Sequence, residues 1–278
     1  MSKSVLVLLL ILGIGLIIGA WYMGTRHTVP APPAPETTST ANPNVTGAPT
    51  FVTQQETRAS AANYCVYTIS YPQAQIAGNA SLEQWLNGYL KAQFVPAEKE
   101  LADCESSVKD VATTPLTQTT TVSYSIKLTT PDLVSLTYTA SSYFEGAAHP
   151  DNVIEAFTLD LQNRSVVSFN DLLAAHTQKN FNDLLYAAVA QAFADTKQQP
   201  YFDKATFLSQ YTKDSYDFYL TTDSLVVINL FDVHALQGLE ASIPLYELKP
   251  YMNPHGVLMR LVSQEAGTGQ PPPPLVHA

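Results

Sequence analysis

Nineteen consecutive uncharged residues, Val5 to Met23, limit what this chain can become more than any other stretch of it. As a helix rising roughly 1.5 Å per residue they reach about 28 Å, close to the roughly 30 Å hydrocarbon core of a bilayer. Such a run either spans a membrane once or serves as an export signal. Lys3 and the terminal amine precede it, Arg26 follows, and Trp21 and Tyr22 stand where interfacial aromatics gather, a bias toward an N-terminus inside. Ile18-Gly19-Ala20 offers a small-residue cleavage site, so a cleaved signal peptide is the competing reading. Against it, the apolar stretch outruns the usual core of about 7 to 15 residues in such signals. No cysteine adjoins the segment, which excludes lipid attachment there. Gly15 and Gly19 have the G-x-x-x-G spacing that lets two spans pack closely, although chance supplies that spacing in many glycine-containing spans. Under either reading residues 25–278 lie outside the cytoplasm. We expect a single-pass protein of the inner (cytoplasmic) membrane, bound to the bilayer through residues 5–23, with its head in the periplasm or extracytoplasmic space.

The exported portion carries thirteen Lys and Arg against 24 Asp and Glu, a net charge of −11. A surface of that sign repels phosphate backbones and anionic lipid headgroups, so nucleic-acid binding is not expected. Charged residues are only 14% of the chain, against a usual share of about a quarter, and apolar residues are 46%, which argues for a folded head over a highly charged disordered one. Cys65 and Cys104 are the two cysteines of the chain, and in an oxidising compartment one pair invites one disulfide. In the chain-entropy account a closed loop of about 40 residues contributes roughly 4 kcal/mol. Neither cysteine has C-x-x-C spacing, so they form no zinc site.

From residue 25 to about 59 the chain is rich in Pro, Thr, Ala and Asn, a composition that cannot bury enough apolar surface to fold and reads as a disordered stalk. The end from Ser263, with Pro271 to Pro274, reads as a disordered Pro-rich tail. The head between them divides into a first part, 60–115, and a second, 116–262. In the first, Tyr64 to Tyr71 alternates as a strand ended by Pro72. Ser81 and Gln84 then form a capping box ahead of Leu82, Trp85, Leu86, Tyr89, Leu90 and Phe94 at helical spacing. Leu101, Cys104 and Val108 continue an apolar stripe beyond Pro96. In the second part, Thr119 to Thr129 and Leu133 to Phe144 predict a hairpin about Thr130-Pro131-Asp132, and Val153 to Leu161 a third antiparallel strand. Phe181, Leu184, Leu185, Ala188, Ala192 and Phe193 predict a helix between Thr177 and Asp195, residues 202–211 a shorter one, and Leu225 to Leu230 a buried strand.

Chemistry-bearing residues gather at one place. The turn after the second hairpin strand holds Glu145, His149 and Asp151 near Gly146, and two carboxylates with an imidazole can bind a metal or share a proton. The same residues also make an ordinary strand connection with solvated polar groups. No G-x-S-x-G, H-E-x-x-H or G-x-x-x-x-G-K-[ST] occurs, which removes the usual support for hydrolase, zinc-protease and phosphate-loop readings. We therefore expect no catalytic set, no metal and no cofactor. Asn44, Asn79 and Asn163 open N-x-S/T triplets, of consequence only in a eukaryotic host.

Two groups of segments resemble a bacterial family. Tyr67-Thr68-Ile69-Ser70-Tyr71-Pro72-Gln73 with the Leu86-Asn87 helix is similar to the first half of the extracytoplasmic region shared by RsiV-type anti-sigma factors and the N-terminal part of PdaC-type peptidoglycan deacetylases. Ser142-Tyr143-Phe144-Glu145-Gly146-Ala147-Ala148-His149-Pro150, Phe157 to Leu161, Phe169 to Leu173, and Phe218-Tyr219-Leu220 through Leu248 resemble its second half. The family usually has Gly-Gly-Ala-His where this chain has Gly146-Ala147-Ala148-His149. The resemblance implies an α+β head of antiparallel sheets packed with helices in two intimately associated parts, preceded here by the membrane helix, in a family known for sensing lysozyme outside the cell. Only about four residues precede the span, so we expect no sigma-binding segment, and we expect no deacetylase catalytic domain, whose metal-binding histidines are missing as well. The leading expectation is a non-enzymatic, membrane-tethered binding module for a basic protein such as a lysozyme-like enzyme, or for peptidoglycan. The alternatives are a cell-wall glycan-modifying enzyme using the Glu145/His149/Asp151 turn, and an architectural envelope protein acting through its proline tail.

Overall fold

The computed structural model of the chain describes residues 47–111, 116–231, 236 and 238–267. The expected membrane span lies outside them, and among the described residues no helix is long and apolar enough to cross a membrane. Strands β1 (Thr50–Ala59), β2 (Cys65–Gln75), β3 (Gln118–Thr129), β4 (Leu133–Phe144), β5 (Asp151–Asp160) and β6 (Ser165–Val166) form a six-stranded sheet in sequence order. Between β2 and β3 the chain crosses over through α1 (Ala80–Phe94) and α2 (Glu98–Val111). Then follow α3 (Gln178–Asp195), α4 (Lys204–Gln210), a three-stranded antiparallel sheet of β7 (Asp217–Leu220), β8 (Ser224–Ile228) and β9 (Ala241–Pro244), and the helices α5 (Leu245–Leu248) and α6 (Val257–Gly267). The architecture is α+β, with antiparallel pairing dominant.

Each sheet buries one face against helices. The apolar stripe of α1, with Leu86, Leu90 and Phe94 buried, packs on Ile69, Val122, Leu136 and Leu159 of the larger sheet. The Phe94 ring meets Tyr138 edge-on, centroids 5.2 Å apart. In α3, Phe181, Leu185, Val189 and Phe193 recur every four residues and face Leu225, Val227 and Ile243 of the smaller sheet in a second core. The predicted hairpin is present: the Thr130 N–H donates to the Leu133 carbonyl (2.8 Å), and its hydroxyl accepts from the Leu133 N–H (2.9 Å). Gly256 marks a close approach, because a Cβ there would stand 2.9 Å from the Asp171 carbonyl oxygen.

Several expectations are corrected. The stalk does not extend to residue 59, since β1 begins at Thr50 and pairs with β2 over its whole length. Between Pro49 and Ala59 β1 itself holds no proline, and Thr-rich sequence suits an edge strand that buries little. Pro72 does not end β2, which runs on to Gln75 with Pro72 opposite Thr53 of the edge strand. The tail does not begin at Ser263, because α6 continues to Gly267. The boundary at 115/116 does not separate two parts, because β2 pairs directly with β3 in one sheet. That pairing is parallel, so the larger sheet is mixed, as a crossover through two helices permits. The cap of α1 is Asn79, whose Oδ1 accepts from the Leu82 N–H (3.0 Å); Ser81 sits inside the first turn, and Glu83 reaches back to the Ile76 N–H (2.7 Å). The third strand runs Asp151–Asp160 and the buried strand Ser224–Ile228, each shifted from its expected bounds.

Candidate functional site

The Glu145–Asp151 connection closes the β4–β5 hairpin. Gly146 adopts φ +87°, which a side chain resists, and the Ala147 N–H returns to the Phe144 carbonyl at 2.9 Å. Glu145 is committed to the main chain of Thr117: its N–H donates to the Thr117 carbonyl (3.0 Å), and its carboxylate accepts from the Thr117 N–H (3.2 Å). His149 is exposed with Nδ1 3.1 Å from the Pro150 carbonyl, and Asp151 starts β5 opposite Ser142. Among the described residues no three His, Cys, Asp or Glu side chains are grouped to hold a metal ion. In the structure the turn therefore braces the entry of β3 as well as joining two strands.

Two surfaces adjoin this hairpin sheet. The first is the side of β1–β5 opposite α1. Because side chains alternate along a strand, the residues between Ile69 and its neighbours, and between Val122 and its neighbours, point away from the α1 core. Register then builds a continuous row: Thr57 opposite Thr68, Thr68 opposite Thr121, Thr121 opposite Ser141, and Ser141 opposite Asn152. Beside it, toward the turn, Val66 stands opposite Thr119 and Thr119 opposite Tyr143, whose ring is 42% exposed. On the other side Ser123 stands opposite Thr139, and Thr139 opposite Ile154. Beyond Ile154 the face is covered, where Tyr219, Val226 and Ile228 of the smaller sheet pack on Ile154 and Ala156.

The second surface is α2, which is fastened to the sheet by few contacts. Among its described side chains the buried apolar ones are Leu101 and Val108, and the Cys65–Cys104 disulfide ties it to the first residue of β2. Glu105 completes the attachment, accepting from the Ala62 N–H (2.9 Å) and from Lys109 Nζ (2.6 Å), while Lys109 lies 5.3 Å from the Tyr64 ring centroid. A groove of about 220 Å³ runs between Ser60-Ala61 and the Glu98, Leu101, Glu105 side of the helix. Hydrogen bonds from Lys109, the Ala62 N–H and Ser60 hold the Glu105 carboxyl down to about 2, and Glu105 in turn pushes Lys109 up. A carboxyl with a lowered folded-state value stabilises the fold above its ordinary 4.5 and loses that contribution as pH falls toward 2. The stability advantage of the native chain over Glu105→Gln, followed by urea unfolding, is accordingly expected to be flat above pH ~5 and to close between about pH 4.5 and 2. A gap that persists unchanged at pH ~2 would show that the carboxylate charge contributes nothing.

Sequence reasoning named the turn and the cysteines but missed Glu105 and the hydroxyl-bearing face. The face had a readable signal, since Thr119, Thr121, Ser123 and Ser125 alternate with Thr120, Val122, Tyr124 and Ile126. Glu105 had only its i,i+4 spacing to Lys109, because the Ala62 N–H that makes it a clamp lies 43 residues away in the β1–β2 connection.

No protein-family model matches the sequence, and no curated protein matches it. Solved structures do. A DUF3298 family member from Bacteroides fragilis NCTC 9343 aligns with a TM-score of 0.53 at 17% identity, over 79% of this chain and 100% of the other. A DUF3298 family protein from Pseudomonas aeruginosa PAO1 aligns with a TM-score of 0.50 at 15% identity, over 74% and 94%. At such identities the likeness is one of fold, and this chain has the fold of the DUF3298 proteins.

Proposed function

We propose that the chain is a membrane-anchored bacterial envelope protein whose extracytoplasmic head is a non-enzymatic binding module for a basic protein, of the kind found in RsiV- and PdaC-type regions. The DUF3298 fold supports the family part of this reading, and DUF3298 is the domain those proteins share. The observation that carries the partner class is charge held on a fixed support. The head is strongly acidic, and α2 presents Glu98, Glu100 and Asp110 to solvent while the disulfide and the Glu105 clamp fix its position. Pre-positioned charge raises the association rate with an oppositely charged partner, and salt screens the effect over about 10 Å at ~0.1 M. Lysozyme is the partner of that chemistry which the family resemblance suggests.

The test is calorimetric titration of the full-length chain with lysozyme at about 0.02 M and about 0.15 M salt. Binding is expected at low salt and weaker binding at the higher concentration. Combining Glu100→Gln with Asp110→Asn should slow association at low salt by up to about tenfold. Absence of heat in both conditions would remove lysozyme as the partner. A fragment used in place of the whole chain must include Thr50 to Gly267, since shorter versions cut β1 or α6.

A further inference from the structure

The side of the larger sheet opposite α1 carries rows of side-chain hydroxyls. Several side-chain hydroxyls elsewhere in the sheet pair with one another: Thr53 with Tyr124 at 2.7 Å, Thr120 with Ser142 at 2.9 Å, Ser135 with Thr158 at 2.8 Å. Those of Thr57, Thr68, Thr121 and Ser141 make no side-chain hydrogen bond within the described residues, although register sets them in one line across four strands. Adjacent strands lie about 4.8 Å apart, and alternate residues along one strand about 6.7 Å, so the hydroxyls form a regular two-dimensional grid. Each hydroxyl both donates and accepts.

Charge narrows the occupant. The chain holds 38 Lys, Arg, Asp and Glu residues, yet the three rows of this face contain none. A polyanion finds no cation here, and a polycation no carboxylate. A protein partner normally needs several aromatic or apolar anchors at the centre of its contact, and this face offers the single exposed ring of Tyr143 at its margin. What suits it is an uncharged linear polymer with hydroxyl or amide groups at short, regular intervals and an apolar ring face to lie on an aromatic. The geometry points to a neutral glycan strand as the occupant, hydrogen-bonded to the Thr57–Thr68–Thr121–Ser141–Asn152 row and stacked on Tyr143. This proposal is separate from the basic partner assigned to α2, and either can fail without the other.

The test uses the full-length chain in detergent, with retention on insoluble β-linked N-acetylglucosamine polymer and on β-linked glucan as the readout. Native protein is expected to be retained on one or both, with retention insensitive to salt. The double variant Thr68→Val, Thr121→Val keeps the β-branched shape and removes two hydroxyls; it should lower retention about tenfold, as loss of two ordinary hydrogen bonds implies. Tyr143→Ala should lower it by a similar factor, and Thr68→Ser, Thr121→Ser, which keeps the hydroxyls, should preserve it. Tyr246→Ala, at an exposed tyrosine on α5, serves as the control and should leave retention unchanged. Failure of the native chain to be retained on either polymer overturns the proposal. So does native-level retention by both the valine and the Tyr143→Ala variants.

Discussion

Replacing Asp160 by alanine is expected to lower the unfolding free energy by about 3 kcal/mol, measured as a shift of the urea transition. Asp160 ends β5 and is only 4% exposed. Its Oδ1 accepts from the N–H groups of Gln162 (3.0 Å) and Asn163 (3.2 Å), and its Oδ2 from the Asn163 amide (2.8 Å) and from Arg260 of α6. Arg260 also donates to Gln162, whose own amide donates to Asp132 at 2.8 Å. One carboxylate therefore joins the β5–β6 turn, the β3–β4 hairpin and the last helix. Alanine would leave a partly buried guanidinium without its counter-charge and several donors without an acceptor, which is where the cost of breaking such a pair arises. Asp160→Asn keeps an acceptor for the two turn N–H groups and should recover part of the loss. A change below about 1 kcal/mol for alanine would mean that water replaces the carboxylate at little cost.

Removing both sulfurs, as Cys65→Ala with Cys104→Ala, should cost about 2 to 4 kcal/mol. The two residues are 39 apart in sequence, so the bond withdraws a large loop from the unfolded ensemble. The loss should also be uneven. Since α2 has few buried apolar residues, its amides are expected to exchange with solvent sooner than those of α1 once the bond is absent, while β3 to β5 keep their protection. Equal acceleration in α1 and α2 would show that the bond acts on the whole head through the unfolded state alone.

Periodic elements were legible from residues alone. The stripe from Leu82 to Phe94, the α3 stripe and the Thr130-Pro131-Asp132 hairpin all stand where apolar spacing and turn chemistry put them. β1 was hidden because an edge strand needs no continuous apolar face: of its half-buried positions only Phe51 is apolar, while Gln54, Glu56 and Arg58 are polar, and inward charges of this kind also guard an edge against unwanted pairing. The parallel β2–β3 contact and the Asp160–Arg260 pair, 100 residues apart, depend on tertiary proximity that no local window carries. For the candidate site, the alternation of Thr and Ser along β3 was readable, but which of the two sides stays uncovered is decided by where α1 and the smaller sheet pack.

The bond between Cys65 and Cys104 makes a closed covalent ring of everything from the start of β2 to the middle of α2. A protease that nicks the short Val95-Pro96-Ala97 joint would open the backbone without releasing either half. The nicked chain would migrate as one species until a thiol is added and as two afterwards, so damage at that joint stays invisible for as long as the surroundings remain oxidising.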